Sequence, residues 1–128
     1  MERNILATAA FLGMTGILLG AFGAHGLKKI VEPESVASFE TGVRYQIYHA
    51  LFLLFVASAS ILPENVKKQI FILVVSGVVL FSVSIYLLAL KKYIPFEIKK
   101  FGIITPIGGL LLISAWGVLF LHIIKRNT

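Results

Sequence analysis

Cysteine is absent from the 128 residues. That removes disulfides, thiol nucleophiles and iron–sulfur clusters, and leaves the compartment open. Charge is scarce too: Asp, Glu, Lys and Arg make up 14% of the chain, against about one quarter in a soluble protein. Only 6 residues are acidic, and each falls in a connection or at the end of an apolar run. No Ser-His-Asp constellation is available, so hydrolytic catalysis is not expected. The 3 histidines are divided, His122 lying at the far end of its run from His25 and His49. Two histidines without a placed carboxylate are a weak ligand set, and no metal is expected. The glycines lie in hydrophobic stretches without the lysine and hydroxyl pair of a phosphate-binding loop.

What is present is hydrocarbon. Hydrophobic residues make up 58% of the chain and mean hydropathy is +0.93. A helix rises about 1.5 Å per residue, so a hydrocarbon core of about 30 Å takes roughly 20 apolar residues. Ile5 to Ala24, Ile70 to Leu90 and Gly102 to Ile124 each meet that length without a charged side chain. Ile47 to Leu62 falls short, at about 24 Å of helix, and reaches the length only if it is extended back to Val43. The expected fold is all-α: a polytopic membrane protein, an antiparallel bundle of four transmembrane helices over residues 5–24, 43–62, 70–90 and 102–124, forming one integral membrane domain over residues 1–128. Arg3 ahead of the first run, with Ala21, Gly23 and Ala24 near its end, has the outline of a secretory signal. The run exceeds the 7 to 15 residues of a signal's apolar region, and its small residues are better explained by packing.

The net charge of +6 would suggest nucleic acid in a soluble protein. Here Lys28, Lys29, Lys67, Lys68, Lys91, Lys92, Lys99, Lys100, Lys125 and Arg126 sit in pairs at the ends of runs, where they anchor the protein and meet lipid headgroups. Membrane lipids are the expected partners, and nucleic acid is not. The connection containing Tyr93, Pro95 and Phe96 between two lysine pairs reads as an interfacial anchor. The basic residues lean towards the two odd-numbered loops facing the cytoplasm.

Two small-residue stripes are expected to pack helices. Gly13, Gly16, Gly20 and Gly23, with Ala9, fall within an arc of about 80° on the first helix, and Gly16-x-x-x-Gly20 is a form that lets backbones approach in lipid. Gly102, Pro106, Gly109 and Gly117 share a face of the fourth, and pairing of the two stripes is a reasonable expectation. Pro106 frees the carbonyl four residues earlier and predicts a kink over Gly102 to Pro106. Pro33 and Glu34 predict a helix start near residue 33, with a partly helical surface segment running into span two and a bend at Gly42.

The candidate polar pocket lies at the start of span two. On a helical wheel Thr41, Arg44, Tyr45, Tyr48 and His49 occupy one side, and Val43, Ile47, Ala50, Leu51 and Leu54 the other. Intramembrane ionisable groups avoid lipid, so the polar side is expected to face the bundle. Glu40 stands in the favourable orientation to pair with Arg44, and His25 ends span one on the same side of the membrane. Such a pocket would hold an anionic headgroup or a carboxylate, or relay protons through two histidines. Interfacial anchoring of the same residues is the plainer alternative.

Three strings then become recognisable: GAFGAHGLKK at Gly20 to Lys29, ETGVRYQIYHAL at Glu40 to Leu51, and TPIGGLLL at Thr105 to Leu112 followed by Ser114-Ala115-Trp116. Over nearly the whole chain they resemble the bacterial membrane family called domain of unknown function 423, whose eukaryotic relatives are known as transmembrane protein 256. The resemblance implies a small four-span, multi-pass protein of the bacterial inner (cell) membrane without an established activity. It assigns no catalytic residue and no cofactor. His25, Glu40, Arg44, Tyr45, Tyr48, His49 and Pro106 are where the shared strings fall. The function expected first is a non-enzymatic accessory subunit or self-associating scaffold, as a homo-oligomer or within a larger membrane complex. The alternative is a ligand-, lipid- or proton-handling protein built on the polar pocket.

Overall fold

The computed structural model describes residues 1–95 and 102–126. Phe96, Lys99 and Lys100 of the expected interfacial anchor lie outside the described residues. The chain forms α1 (Glu2–Ala24), α2 (Pro33–Ser58), α3 (Glu64–Val78), a single π-helical turn (Val79–Val83), α4 (Ser84–Ala89) and α5 (Ile104–Lys125). Through the π turn, α3 and α4 run on as one rod. Among the described residues three helical stretches, Glu2–Lys29, Glu64–Ala89 and Ile104–Lys125, are long and apolar enough to cross a membrane.

α2 is long enough but less apolar, and it carries more buried residues than any other described helix. Eleven of its residues are buried, against four each in α1 and α5. It begins as expected: Pro33 takes the first helical position after an extended Glu32, where its missing N–H costs nothing. Ser35 Oγ donates to Glu32 Oε1 at 2.8 Å. The helix runs through Gly42 to Ser58, and Gly42 serves close packing. A Cβ there would lie 2.7 Å from the Tyr86 ring. At the other end Lys67 Nζ donates to Ala57 O at 2.8 Å, placing a cation where the last carbonyls of a helix are unpaired.

The glycine stripe of α1 packs, but its partner is α2. Cβ atoms at Gly16, Gly20 and Gly23 would meet Ile47 at 2.8 Å, Val43 at 3.3 Å and Phe39 at 3.1 Å, and one at Gly13 would meet Ala50 at 3.9 Å. The expected pairing with α5 is thereby replaced: α1 spends its small face on the helix that follows it. On α5 the close approach is made by Gly108. A Cβ at Gly108 would fall against Phe81 N, and 2.6 Å from Leu80 C, inside the π turn. Gly77 is the reciprocal gap, filled by Leu112. Among the described residues, Cβ atoms at Gly102 and Gly117 would meet nothing within 4 Å, so those members of the second stripe pack against no described helix. Pro106 does not kink α5. It lies in the first turn of a helix that begins at Ile104, where no intrahelical hydrogen bond is lost.

Two apolar cores result. One contains Ile5, Ala9, Phe52, Leu53, Val56, Ile70, Val74, Leu112 and Leu119. The other contains Leu27, Val36, Phe39, Val43, Tyr86 and Ala89. Along α2 the stretch between them, residues 44–51, carries the buried polar side chains Gln46 and His49.

Candidate functional site

A polar layer lies between the two cores. Gln46 Nε2 donates to Leu12 O at 2.9 Å and to Thr15 Oγ1 at 2.8 Å, while Gln46 Oε1 accepts from Tyr86 OH at 2.7 Å. Thr15 in turn donates to Phe11 O at 2.8 Å. One side chain thus ties α1, α2 and α4 together at the middle of α1, the depth at which a lipid-filled surrounding offers no alternative partner. Ser82 Oγ donates across to Gly42 O at 2.8 Å, unlike the back-bonding to its own helix expected of a serine in a membrane helix. Ser82 lies within the π turn. Ser84 does bond back, with its Oγ within 2.6 Å of Leu80 O and 2.9 Å of Phe81 O, and it also meets Thr105 Oγ1 at 2.6 Å. Among the described residues no buried polar side-chain atom is left without a partner.

His49 closes the layer towards α5. Trp116 Nε1–H donates to His49 Nε2 at 3.1 Å, and His49 Nδ1 lies 2.7 Å from Tyr45 O. An indole N–H can only donate, so Nε2 is the acceptor and Nδ1 carries the proton donated to Tyr45 O. Both ring nitrogens are engaged in one neutral tautomer. Phe52 stacks on Trp116 at 3.9 Å and 12° and fixes the indole from the other side.

Of the remaining expected pocket residues Tyr45 stays beside His49, while His25, Glu40 and Arg44 are not gathered with it. Arg44 is exposed, as are Tyr45 at 39% and Tyr48 at 51%, whereas Val43 and Ala50, placed on the lipid side by the wheel, are buried. The wheel is therefore turned. Short polar groups that need fixed partners, Gln46 and His49, go inside, while long or amphipathic ones remain outside because they can reach an interface. Arg44 Nη2 donates to Thr41 Oγ1 at 3.1 Å in place of the expected Glu40, which is half-buried. His25 is exposed and its Nδ1 meets Ala21 O at 3.1 Å, on its own helix. The two histidines do not converge.

A different cavity takes the pocket's place. Tyr45 and His49 of α2, Phe81 of the π turn, and Gly109, Leu112, Ile113 and Trp116 of α5 line a groove of about 320 Å³. Its walls are aromatic and aliphatic, and Tyr45 leans on Phe81 at 5.0 Å. Gly109 leaves the space, since a Cβ there would only touch Phe81 at 3.6 Å. The His49–Trp116 hydrogen bond lies along the same wall. Gln46, Thr15, Trp116 and Tyr86 were not among the expected pocket residues. The visible signal was a glutamine in an apolar run and the chain's 1 tryptophan.

Comparison with known proteins agrees with this reading of the chain as a membrane protein. The model of the family described as "Protein of unknown function (DUF423)" matches residues 19–109. The chain belongs to this family. Its relatives include the UPF0382 membrane protein SH2409 of Staphylococcus haemolyticus, 39% identical over 96% of this chain and 97% of that one. They also include a UPF0382 membrane protein of Haemophilus influenzae, 34% identical over 91% and 90% of the two chains. The UPF0382 inner membrane protein YgdD of Escherichia coli is 31% identical over 97% of this chain and 92% of its own. No solved structure matches. The chain is a multi-pass protein of the bacterial cell membrane.

Proposed function

We propose that the chain is a non-enzymatic, four-span membrane protein that holds the hydrocarbon chain of a membrane-resident molecule in the groove between α2 and α5. α2 is the fourth span in this reading. Its polar residues lower its hydropathy, but Gln46 and His49 are buried and fully paired inside the protein, where they meet no lipid. The observation that carries the function is the groove itself, about 320 Å³ of apolar space lined by Tyr45, Phe81, Gly109, Ile113 and Trp116. Concave, largely apolar sites with a few polar groups are the usual form of a ligand site. The buried polar groups are spent on structure, which supports the non-enzymatic reading. Native mass spectrometry of protein released from lipid nanodiscs tests it. The protein should retain one lipid mass, and Gly109→Leu, which fills the groove, should lose it. Equal retention by both proteins would refute the assignment.

A second reading, an accessory subunit or self-associating scaffold, is favoured by the outer face of α5, where Gly117 remains open. The α1 stripe no longer supports it, being used within the chain. Crosslinking through Gly117→Cys in membranes would report a neighbouring copy or subunit, and the absence of any crosslinked species would remove this reading.

A further inference from the structure

We propose that Arg44 is the headgroup anchor of the α2–α5 groove, so that its occupant is an anionic phospholipid of the surrounding bilayer; this rests on the groove reading above. The argument starts from position. Gln46 bonds to Leu12 and Thr15 at the middle of α1, and Ile47 and Val43 face Gly16 and Gly20, so Arg44 stands level with the residues just before Gly20. That is within the apolar length of α1, about 7 Å from its centre at 1.5 Å per residue. An exposed arginine at that depth is costly unless its head reaches the interface or finds a negative partner. The side chain can reach outward, since side chains lean towards the N-terminus of their helix, and the Arg44–Thr41 bond shows that it does.

That bond also aims it. Thr41 is one helical turn before Tyr45, which lines the groove, so the bond to Thr41 holds the guanidinium about one turn beyond that lining residue. From there the lining descends through His49, Leu112 and Ile113 to Trp116, which stacks on Phe52. An amphiphile whose head meets Arg44 therefore has its chain directed into the groove. The guanidinium carries five donors, and a single neutral hydroxyl takes one of them. A phosphate is the group that such a planar fork binds in two-point fashion. Tyr45 and Tyr48, both exposed and 5.6 Å apart on the same face, add amphipathic rings at headgroup level. Glu40, half-buried one turn before Arg44, tempers the charge without being its hydrogen-bond partner.

The 1 tryptophan of the chain lines the groove, which makes the test direct. Trp116 fluorescence is measured in bilayers of phosphatidylcholine mixed with dibrominated phosphatidylglycerol, and in the reverse mixture with dibrominated phosphatidylcholine. A single basic contact near the surface predicts about a fivefold preference for the anionic lipid. Arg44→Gln should bring the preference to about one, Arg44→Lys should keep part of it, and Glu40→Gln should raise it, with helicity unchanged in each. No preference in the wild type, or a preference that survives Arg44→Gln, overturns the assignment to Arg44. Preference for an anionic fatty acid over phosphatidylglycerol would overturn the phospholipid source. Gly109→Leu separates the two levels: if filling the groove leaves quenching by both lipids unchanged, the groove reading itself fails.

Discussion

Replacing Gln46 by leucine removes a side chain that joins α1, α2 and α4 level with the middle of α1. Three hydrogen bonds go: to Leu12 O, to Thr15 Oγ1 and from Tyr86 OH. In membrane proteins such bonds are worth on average about 0.6 kcal/mol and at most about 1.7, which puts their sum near 2 kcal/mol. Leucine matches the volume, so little cavity is made, but the buried Tyr86 hydroxyl loses its acceptor, a further cost of about 1 to 3 kcal/mol. The expected loss for Gln46→Leu is therefore about 3 to 5 kcal/mol. Tyr86→Phe alone should cost about 1 kcal/mol, because it leaves Gln46 Oε1 without its donor. The double variant should cost less than the sum, with a coupling near 1 kcal/mol, since each partner is stranded only when the other remains. Reversible unfolding in mixed micelles, followed by helicity, measures all three. A Gln46→Leu protein within about 0.5 kcal/mol of wild type, or strict additivity in the cycle, would refute the network as a source of stability.

Other perturbations separate packing from exposure. Gly108→Ala places a methyl against the backbone of Leu80 and Phe81 and should destabilise by about 1 to 3 kcal/mol, whereas Gly117→Ala, which meets nothing within 4 Å, should change stability by less than about 0.5 kcal/mol; the same unfolding assay ranks them. Lys67→Met keeps the stem but uncaps the Ala57 carbonyl, and should cost about 0.5 to 1 kcal/mol together with faster amide exchange in the last turn of α2. Trp116→Phe withdraws the donor from His49 Nε2. It should free the imidazole to change tautomer, visible as a shift in its nitrogen resonances, and an unchanged spectrum would refute the tautomer assigned from the hydrogen bonds.

Much of the fold could be read from run length and punctuation. The long apolar stretches, the helix start at Pro33 and the packing use of Gly16 and Gly20 all follow from local rules that tertiary context did not override. What failed were inferences about partners. The α1 stripe was legible as a stripe, but nothing in it says which helix fills it, and the neighbour in sequence won over α5. The wheel of α2 was misread because it sorted residues by polarity alone. Reach matters as well: Arg44 and the tyrosines carry polar ends on long stems and tolerate the outer face, while Gln46 and His49 are too short to do so and find partners within. The π turn has no local signature in Val79 to Val83. It accompanies the close approach of Gly108 on another helix, a relation that no window along the chain contains.

Because the chain has no cysteine, single cysteines report topology without background. Glu34 in the first turn of α2 and Asn65 in the first turn of α3, just beyond the far end of α2, are both exposed, and labelling Glu34→Cys and Asn65→Cys with a membrane-impermeant maleimide in right-side-out and inverted vesicles asks whether α2 crosses the bilayer. Reaction of the two cysteines from opposite sides is the predicted result. Reaction of both from the same side would contradict α2 as a span, and with it the mid-membrane depth of Gln46 and the groove beside it.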